Sequence, residues 1–280
     1  LRALPAMWRR LGESRYDLVH AHFGWSGLIA RCQAAAPVVV SFMGDDVLGR
    51  FKRNGRITAS SHFLRLTSFV LARSVSAVIV KSHQMKVALR MDSAYVIPNG
   101  VDIDLFRPID QSEARRALGL DLNKKFVLFP FDPAIENKRH DLIAAAVDLA
   151  REQEPQLEML YVRGAPRSRM PLYLNAADVF VLASHSEGSP NAVKEAMAVN
   201  LPIVTVDVGD AAALIGSAES CFLVPREVRA IASRIVEVCR RGERSRGREW
   251  IVPLSSENVA KQIMEVYASV LGRRAPSQQE

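Results

Sequence analysis

Cysteine is scarce in this chain: three residues in 280, Cys32, Cys221 and Cys239, with no CxxC pair and no zinc-type spacing. That scarcity argues against a disulfide framework or a structural metal knot, and it suits a reducing compartment, with the cytosol as the default. Long apolar runs are missing too. None reaches the roughly 18 uninterrupted apolar residues of a membrane span, and the best candidate, Leu64–Val80, is broken by Arg73. The opening residues carry no signal-peptide pattern. Aromatic residues are only 7% of the chain and do not interleave with its arginines, which argues against a nucleic-acid partner. No internal repeat and no low-complexity tract is visible.

What is there reads as a globular protein with real cores. Apolar residues make up 49% of the chain and charged ones 24%, and the length fits two domains of roughly 150 residues. A net charge of +7 implies attraction to something anionic, either a phosphate-bearing substrate or an inner membrane surface. Two basic clusters carry it: Arg50, Lys52, Arg53 and Arg56, then Arg240, Arg241, Arg244, Arg246 and Arg248. Both also fit a plain reading as solvated surface. The first precedes a helix over 57–72 on which Phe63, Leu66, Phe69 and Val70 share a face. That face either packs into a core or lies on an anionic membrane as a peripheral contact.

Short apolar strands alternate with helices along the whole chain, the pattern of parallel sheets. Strands are expected at 17–22, 37–42, 77–80 and 94–97, with helices at 28–35, 57–73 and 83–90 between them. Pro98-Asn99-Gly100 then marks a boundary. A second series follows: strands at 126–129, 157–162, 179–182 and 202–206, helices at 141–152, 171–175 and 191–198. A last amphipathic helix spans 257–271. Such sheets bind ligands beyond the carboxyl ends of their strands, where 130–138, Gly164 and 184–191 fall.

The most informative of these segments is Ser184–Ala198, where two carboxylates flank a Gly-Ser-Pro-Asn turn that opens a helix. Pro190 fits the first helical turn, and the backbone amides from Gly188 to Ala192 then face an anion, for which a diphosphate is the natural guest. Glu195 falls about one and a half turns into the helix, at the depth of a ribose, while Glu187 stays in the loop beside a sugar. The plainer alternative makes them a loop acid and a helix-start acid favoured by the helix dipole. His20 and His22 project to one side of a strand like half of a metal site, but no third ligand accompanies them, so no metal is expected.

Glu187 and Glu195, followed by Ala196-Met197-Ala198 and Leu201-Pro202-Ile203-Val204, resemble the E-x7-E signature of the family-four, group-one retaining glycosyltransferases. Asn200 stands where the family has glycine, and asparagine is the next-best residue at a left-handed helix end. Pro98-Asn99-Gly100-Val101-Asp102 through Phe106 and Pro108 resembles the family's linker. Ser41–Asp46 resembles its T-F-H-G-x-D, with Met43 in place of histidine, and Asp178 matches a recurrent acid whose role is structural first.

The resemblance implies a GT-B architecture of the α/β class, two doubly wound Rossmann-like domains facing a cleft. An acceptor-side domain would take residues 1–107, a nucleotide-sugar domain 108–255, and a helix at 256–272 would cross back. The family's opening strand and glycine-rich loop have no counterpart here, so the first domain is expected to be partial and the chain a fragment or a shortened member.

By the same resemblance, Glu187, Lys138 and His22 form the catalytic set, with Glu187 at the donor sugar, Lys138 on phosphate and His22 on the acceptor side. Glu195 would hold the ribose, and Gly188, Ser189, Pro190, Asn191 and Arg139 the phosphates. Arg139 or Arg163 would stand in for an arginine that the family has earlier in the chain. The implied donor is a UDP- or GDP-sugar without metal or cofactor. The implied acceptor is a glycan or a lipid-linked species in polysaccharide assembly, at a cytoplasmic location on the inner face of the membrane. Two other readings stand beside this one: a catalytically silent nucleotide-sugar-binding remnant, and a non-hydrolysing sugar-nucleotide epimerase.

Overall fold

Four short strands, β1 (Val19–His22), β2 (Val38–Ser41), β3 (Ala77–Val80) and β4 (Tyr95–Val96), pair in parallel and in that order in a computed structural model that describes residues 3–162 and 164–272. β2 and β3 are buried at every position. They therefore read as continuous apolar runs, because helices cover both faces of such a sheet. Val38, Val40, Phe42, Val78 and Val80 pack there with Leu71, Met85 and Leu89.

The helix after β1 spans Gly24–Arg31, four residues earlier than the apolar pattern indicates. Phe23, at a φ of 78°, reverses the chain at once. Gly24 then fits where a Cβ would lie 2.7 Å from Ser68 Oγ, and its amide donates to Asp46 Oδ2 at 3.0 Å. The helix Ala59–Ala72 buries Ser61, Leu64, Ser68, Leu71 and Ala72. Phe63, Leu66 and Val70 are 59%, 62% and 61% exposed, so this face is not the core face that packing alone would make it. The Trp25 ring lies 6.1 Å from that of Phe63.

The second sheet joins β5 (Lys125–Phe129), β6 (Leu157–Tyr161), β7 (Val179–Leu182), β8 (Ile203–Thr205) and β9 (Cys221–Leu223), all parallel, in the order β6-β5-β7-β8-β9. The winding reverses between β5 and β7, which makes the crevice beyond their carboxyl ends the ligand position of an open sheet. β9 and the helices Gln111–Leu118 and Val228–Arg241 have no counterpart in the sequence reading. The helix at 111 is nevertheless marked locally: the Asp110 side chain accepts the Glu113 amide at 2.9 Å, an N-cap with an acid three residues on.

Contacts divide the chain into two units, one holding the residues up to Arg50, Arg56–Asn99 and the final helix from Glu257, the other Phe51–Gly55 and Gly100–Ser256. In the second, Gly100 is a steric necessity, since a Cβ there would sit 2.6 Å from Ser256 Cα. Asp102 Oδ1 accepts the amides of Asp104 and Leu105 at 3.2 and 2.9 Å, which is turn chemistry.

Much of the basic charge is spent inside the fold rather than solvated. Arg244 donates to the carbonyls of Ala177 and Val199, and Arg248 to those of Ile103, Phe106 and Ala198. These include the last carbonyl of the helix Asn191–Ala198 and the carbonyls of Val199 and Ala177, the residues that cap that helix and the helix Met170–Ala176. Burial pulls the Arg244 pKa down to about 10. Asp178 is held among Arg115 Nη2 at 2.7 Å, the Phe126 amide at 2.6 Å and Lys125 Nζ at 3.6 Å, a structural role. Asn200 adopts a φ of 58° after the helix at 191. The Asn200 and Leu201 amides return to the Met197 and Ala196 carbonyls, and the Asn200 side chain accepts the Arg248 amide at 2.9 Å.

Candidate active site

The loops after β5 and β7 meet at the switch point. Asn137 joins them: its carbonyl accepts the His185 amide at 2.9 Å, its Oδ1 the Ser186 amide at 3.2 Å, and its Nδ2 donates to the Ser186 carbonyl at 2.8 Å. This brings Lys138 Nζ to 2.6 Å from Glu187 Oε1, with both side chains largely buried. Lys138 Nζ also lies 4.1 Å from the centroid of the Phe131 ring. Two of the expected catalytic residues therefore form a direct ion pair.

Arg139, at a φ of 52°, bonds Asp141 through Nε and Nη2 at 3.0 and 3.1 Å, and its Nη1 lies 3.4 Å from His185 Nε2. The Arg139 hydrogen bond holds the Asp141 carboxyl below its ordinary range, and the charges of Arg139 and Arg53 add to this. The basic side chains of the first cluster, Arg50, Lys52, Arg53 and Arg56, are exposed, while the backbone between them is anchored: Phe51 stacks on His185 with ring centroids 6.2 Å apart, and the Arg53 carbonyl is 2.9 Å from His185 Nε2.

Arg226 donates to the carbonyls of Ala183 and Ser184 at 3.3 and 2.8 Å, and its pKa is lowered by burial and then by the charge of Arg139. It is a cation of this site that the sequence reading missed. Its only local signal is a place just beyond the fifth strand of the sheet.

Glu195 lies in the helix Asn191–Ala198, 7% exposed, with Arg167 Nη2 2.9 Å from its Oε1. Burial raises its pKa although Arg167 pulls the other way. Pro190 is the residue before the helix, with a ψ of 107°, rather than part of its first turn; its carbonyl accepts the Val193 amide at 3.2 Å. Gly188, Ser189 and Pro190 are buried and Asn191 is exposed. Ser189 Oγ donates to Asp210 Oδ2 at 2.7 Å, while Asp210 Oδ1 is buried with no hydrogen-bond partner among the described residues, and burial raises the Asp210 pKa. Gly209, at a φ of 63°, lets that loop lie against the carbonyl of Glu187, which a Cβ would approach to 2.9 Å. Gly209 and Asp210 thus shape the turn between the two acids.

His22 belongs to the other unit, at the end of β1, with its ring centroid 4.3 Å from that of His20. His20 is fixed by Tyr267 Oη at 2.5 Å and Ser41 Oγ at 2.9 Å. Burial, then His22 and Lys81, lower its pKa to about 4, and burial, then Lys81, lower that of His22. Asp46, wholly buried, accepts the amides of Met43, Gly44 and Gly24, so its carboxylate is committed to shaping the backbone. Arg163 lies outside the described residues. Among the described residues, no three His, Cys, Asp or Glu side chains converge as metal ligands.

Residues 131–241 match the family described as glycosyl transferases group 1, and residues 1–105 match glycosyltransferase family 4. The chain belongs to the family-four, group-one glycosyltransferases. A Bacillus subtilis protein, TuaC, named for a glycosyltransferase role in teichuronic acid biosynthesis, is 28% identical over 248 residues, which take in 78% of this chain and 60% of TuaC. A D-inositol 3-phosphate glycosyltransferase of Segniliparus rotundus is 26% identical, over 70% of this chain and 52% of its own length. The chain thus spans between half and two thirds of these relatives.

Among solved structures, sucrose-phosphate synthase of Thermosynechococcus elongatus superposes with a TM-score of 0.82 at 21% identity, covering 96% of this chain and 77% of the enzyme. Anabaena HepE, solved with UDP, gives 0.73 at 21% identity, covering 95% and 82%. The fold of this family member is GT-B, built on two Rossmann-like sheets.

Proposed function

We propose that this chain transfers a sugar from a nucleoside-diphosphate sugar to a glycan or lipid-linked acceptor, with retention of anomeric configuration. The observation that carries the reading is the Lys138–Glu187 pair at the switch point, one helix away from the buried Glu195. A leaving diphosphate gathers negative charge as the glycosidic bond lengthens, and it needs fixed cations and amides around it. Lys138, Arg139 and the backbone at Gly188–Asn191 supply these, with Arg226 behind them. The Lys138 ammonium exchanges Glu187 for phosphate when the donor arrives, which frees the Glu187 carboxylate for the sugar hydroxyls or the developing positive charge. Glu195 accepts the ribose hydroxyls, and His22 serves the acceptor side.

Support for this donor class comes from HepE, solved with UDP and with UDP-glucose. An Escherichia coli relative, 24% identical, is named as a galactosyltransferase acting on a diphosphoundecaprenol-linked acceptor. The exposed Phe63, Leu66 and Val70 beside Trp25 would give such a protein an apolar face for an anionic membrane, and the described residues contain no helix long and apolar enough to cross one. Co-sedimentation with anionic but not neutral vesicles checks that contact.

The decisive experiment is calorimetric titration with UDP-, GDP- and ADP-sugars without metal, repeated with Glu195→Ala and Lys138→Ala. Saturable binding weakened by both changes supports the donor site. Binding without transfer to any acceptor would favour a silent binding module, and a product of inverted configuration would overturn the retaining mechanism.

A further inference from the structure

At the carboxyl ends of β1 and β3 the first unit holds a group that the donor chemistry does not use. Lys81 follows β3 directly and is 2% exposed, yet among the described residues its ammonium makes neither a hydrogen bond nor an ion pair within 4 Å. Asp46 is the acid whose charge it feels, and that carboxylate already accepts three backbone amides. Its other titratable neighbours are the imidazoles of His20 and His22. Both ring nitrogens of His20 are taken by Tyr267 and Ser41. The exposed His22 ring lies against His20, and among the described residues neither of its nitrogens makes a hydrogen bond. Burying an ammonium that makes no hydrogen bond is costly, and the one carboxylate near it is already occupied by three backbone amides.

We propose that Lys81 and His22 form an oxyanion site that takes a phosphate or carboxylate group of the acceptor. This rests on the transferase reading above and narrows it to acidic acceptors. Three ammonium donors and one imidazole N–H suit the several lone pairs of such a group, and charge-assisted bonds of this kind are the strong ones. Asp46 fixes the backbone around the site, and Ser41 and Tyr267 fix His20 behind His22.

The test uses NMR of the six histidines during titration with inorganic phosphate, and in a second arm acetate, at constant ionic strength. The donor site is disabled by Glu195→Ala, so a failure here is separate from a failure of donor binding. The expected result is a saturable shift of His22 with exposed His62 and His83 unmoved. Lys81→Met should weaken binding by about tenfold or more, and Lys81→Arg should retain it. No saturable His22 shift with either anion overturns the proposal, and so does equal binding by folded Lys81→Met. Should that variant not fold, the unsubstituted residue and Lys81→Arg still decide the matter.

Discussion

Beyond β5 and β7 cations meet acids: Lys138 with Glu187, Arg139 with Asp141, Arg167 with Glu195. Beyond β1 and β3 the buried Lys81 stands beside two imidazoles whose pKa values are lowered, and the one acid near it, Asp46, is already engaged by backbone amides. In the first arrangement each charge is neutralised in place, so under the proposed function a substrate would exchange one partner for another. The second buries an ammonium at a cost, and the oxyanion site proposed above would relieve it. The two proposed sites thus differ in how their charges are balanced, and substitutions separate them.

The largest effect should come from Lys138→Ala. It strands the Glu187 carboxylate and removes a cation from the leaving diphosphate, so transfer should fall roughly 100- to 1000-fold in initial-rate assays. Lys138→Arg should recover part of it. A loss under tenfold would mean that the pair only braces two loops, and the contrast with Lys81 would lose its functional meaning. Next is Gly209→Ala, which combines a left-handed backbone with a Cβ 2.9 Å from the Glu187 carbonyl. It should cost about 2 kcal/mol of stability by denaturant titration and weaken donor binding by moving Glu187. Wild-type donor affinity in this variant would show that the turn is not held by Gly209.

How far these two regions could be read in advance differs for a physical reason. The proposed donor site lies in contiguous strand-loop-helix words, so Glu187, Glu195 and Lys138 carried their spacing with them, as did the strands at 77–80 and 179–182. Arg226 is recruited to Ser184 by the sheet, and its one local signal, a place just beyond β9, depends on a strand that the sequence reading missed. Arg244 and Arg248 look like a solvated basic run until the helix ends that they serve are in place. Lys81 reads as an ordinary residue leading into a helix, because its cost comes from neighbours that only the parallel pairing of β1, β2 and β3 assembles. Pro190 fell one residue outside its helix, within the usual uncertainty of helix ends.

Lys81→Met turns the comparison into a stability measurement of opposite sign. Burial depresses the Lys81 pKa to about 8 from its ordinary value of 10.5, so below pH 8 the folded protein carries a charge that it pays to bury. Replacing it with a similar apolar chain should stabilise the first unit by about 2 kcal/mol at pH 7. The gain should shrink as the pH rises from 8 towards 10.5, where the unfolded lysine also loses its proton. Calorimetric melts across that range check it, and a destabilised variant at pH 7 would mean that the ammonium has a partner after all.

The smallest effect belongs to His20. Its folded pKa of about 4 lies below the ordinary 6.5, so the unfolded chain takes up a proton first as the pH falls. The stability it supports is complete above pH 6.5 and is lost progressively towards pH 4. The ring is only about half buried, so by pH 5 the loss should be about 1 kcal/mol once solvent screening is allowed for. Hydrogen exchange at the Ala21 and Val40 amides reads the first unit alone. Between pH 6.5 and 5, corrected for intrinsic exchange rates, their protection should fall in the wild type and stay flatter in His20→Gln, whatever that change does to the absolute level by breaking the bonds to Tyr267 and Ser41. Equal slopes would mean that protonated His20 is tolerated beside Lys81, and the repulsion between the cations of the first unit would then be weaker than the contrast with the second requires.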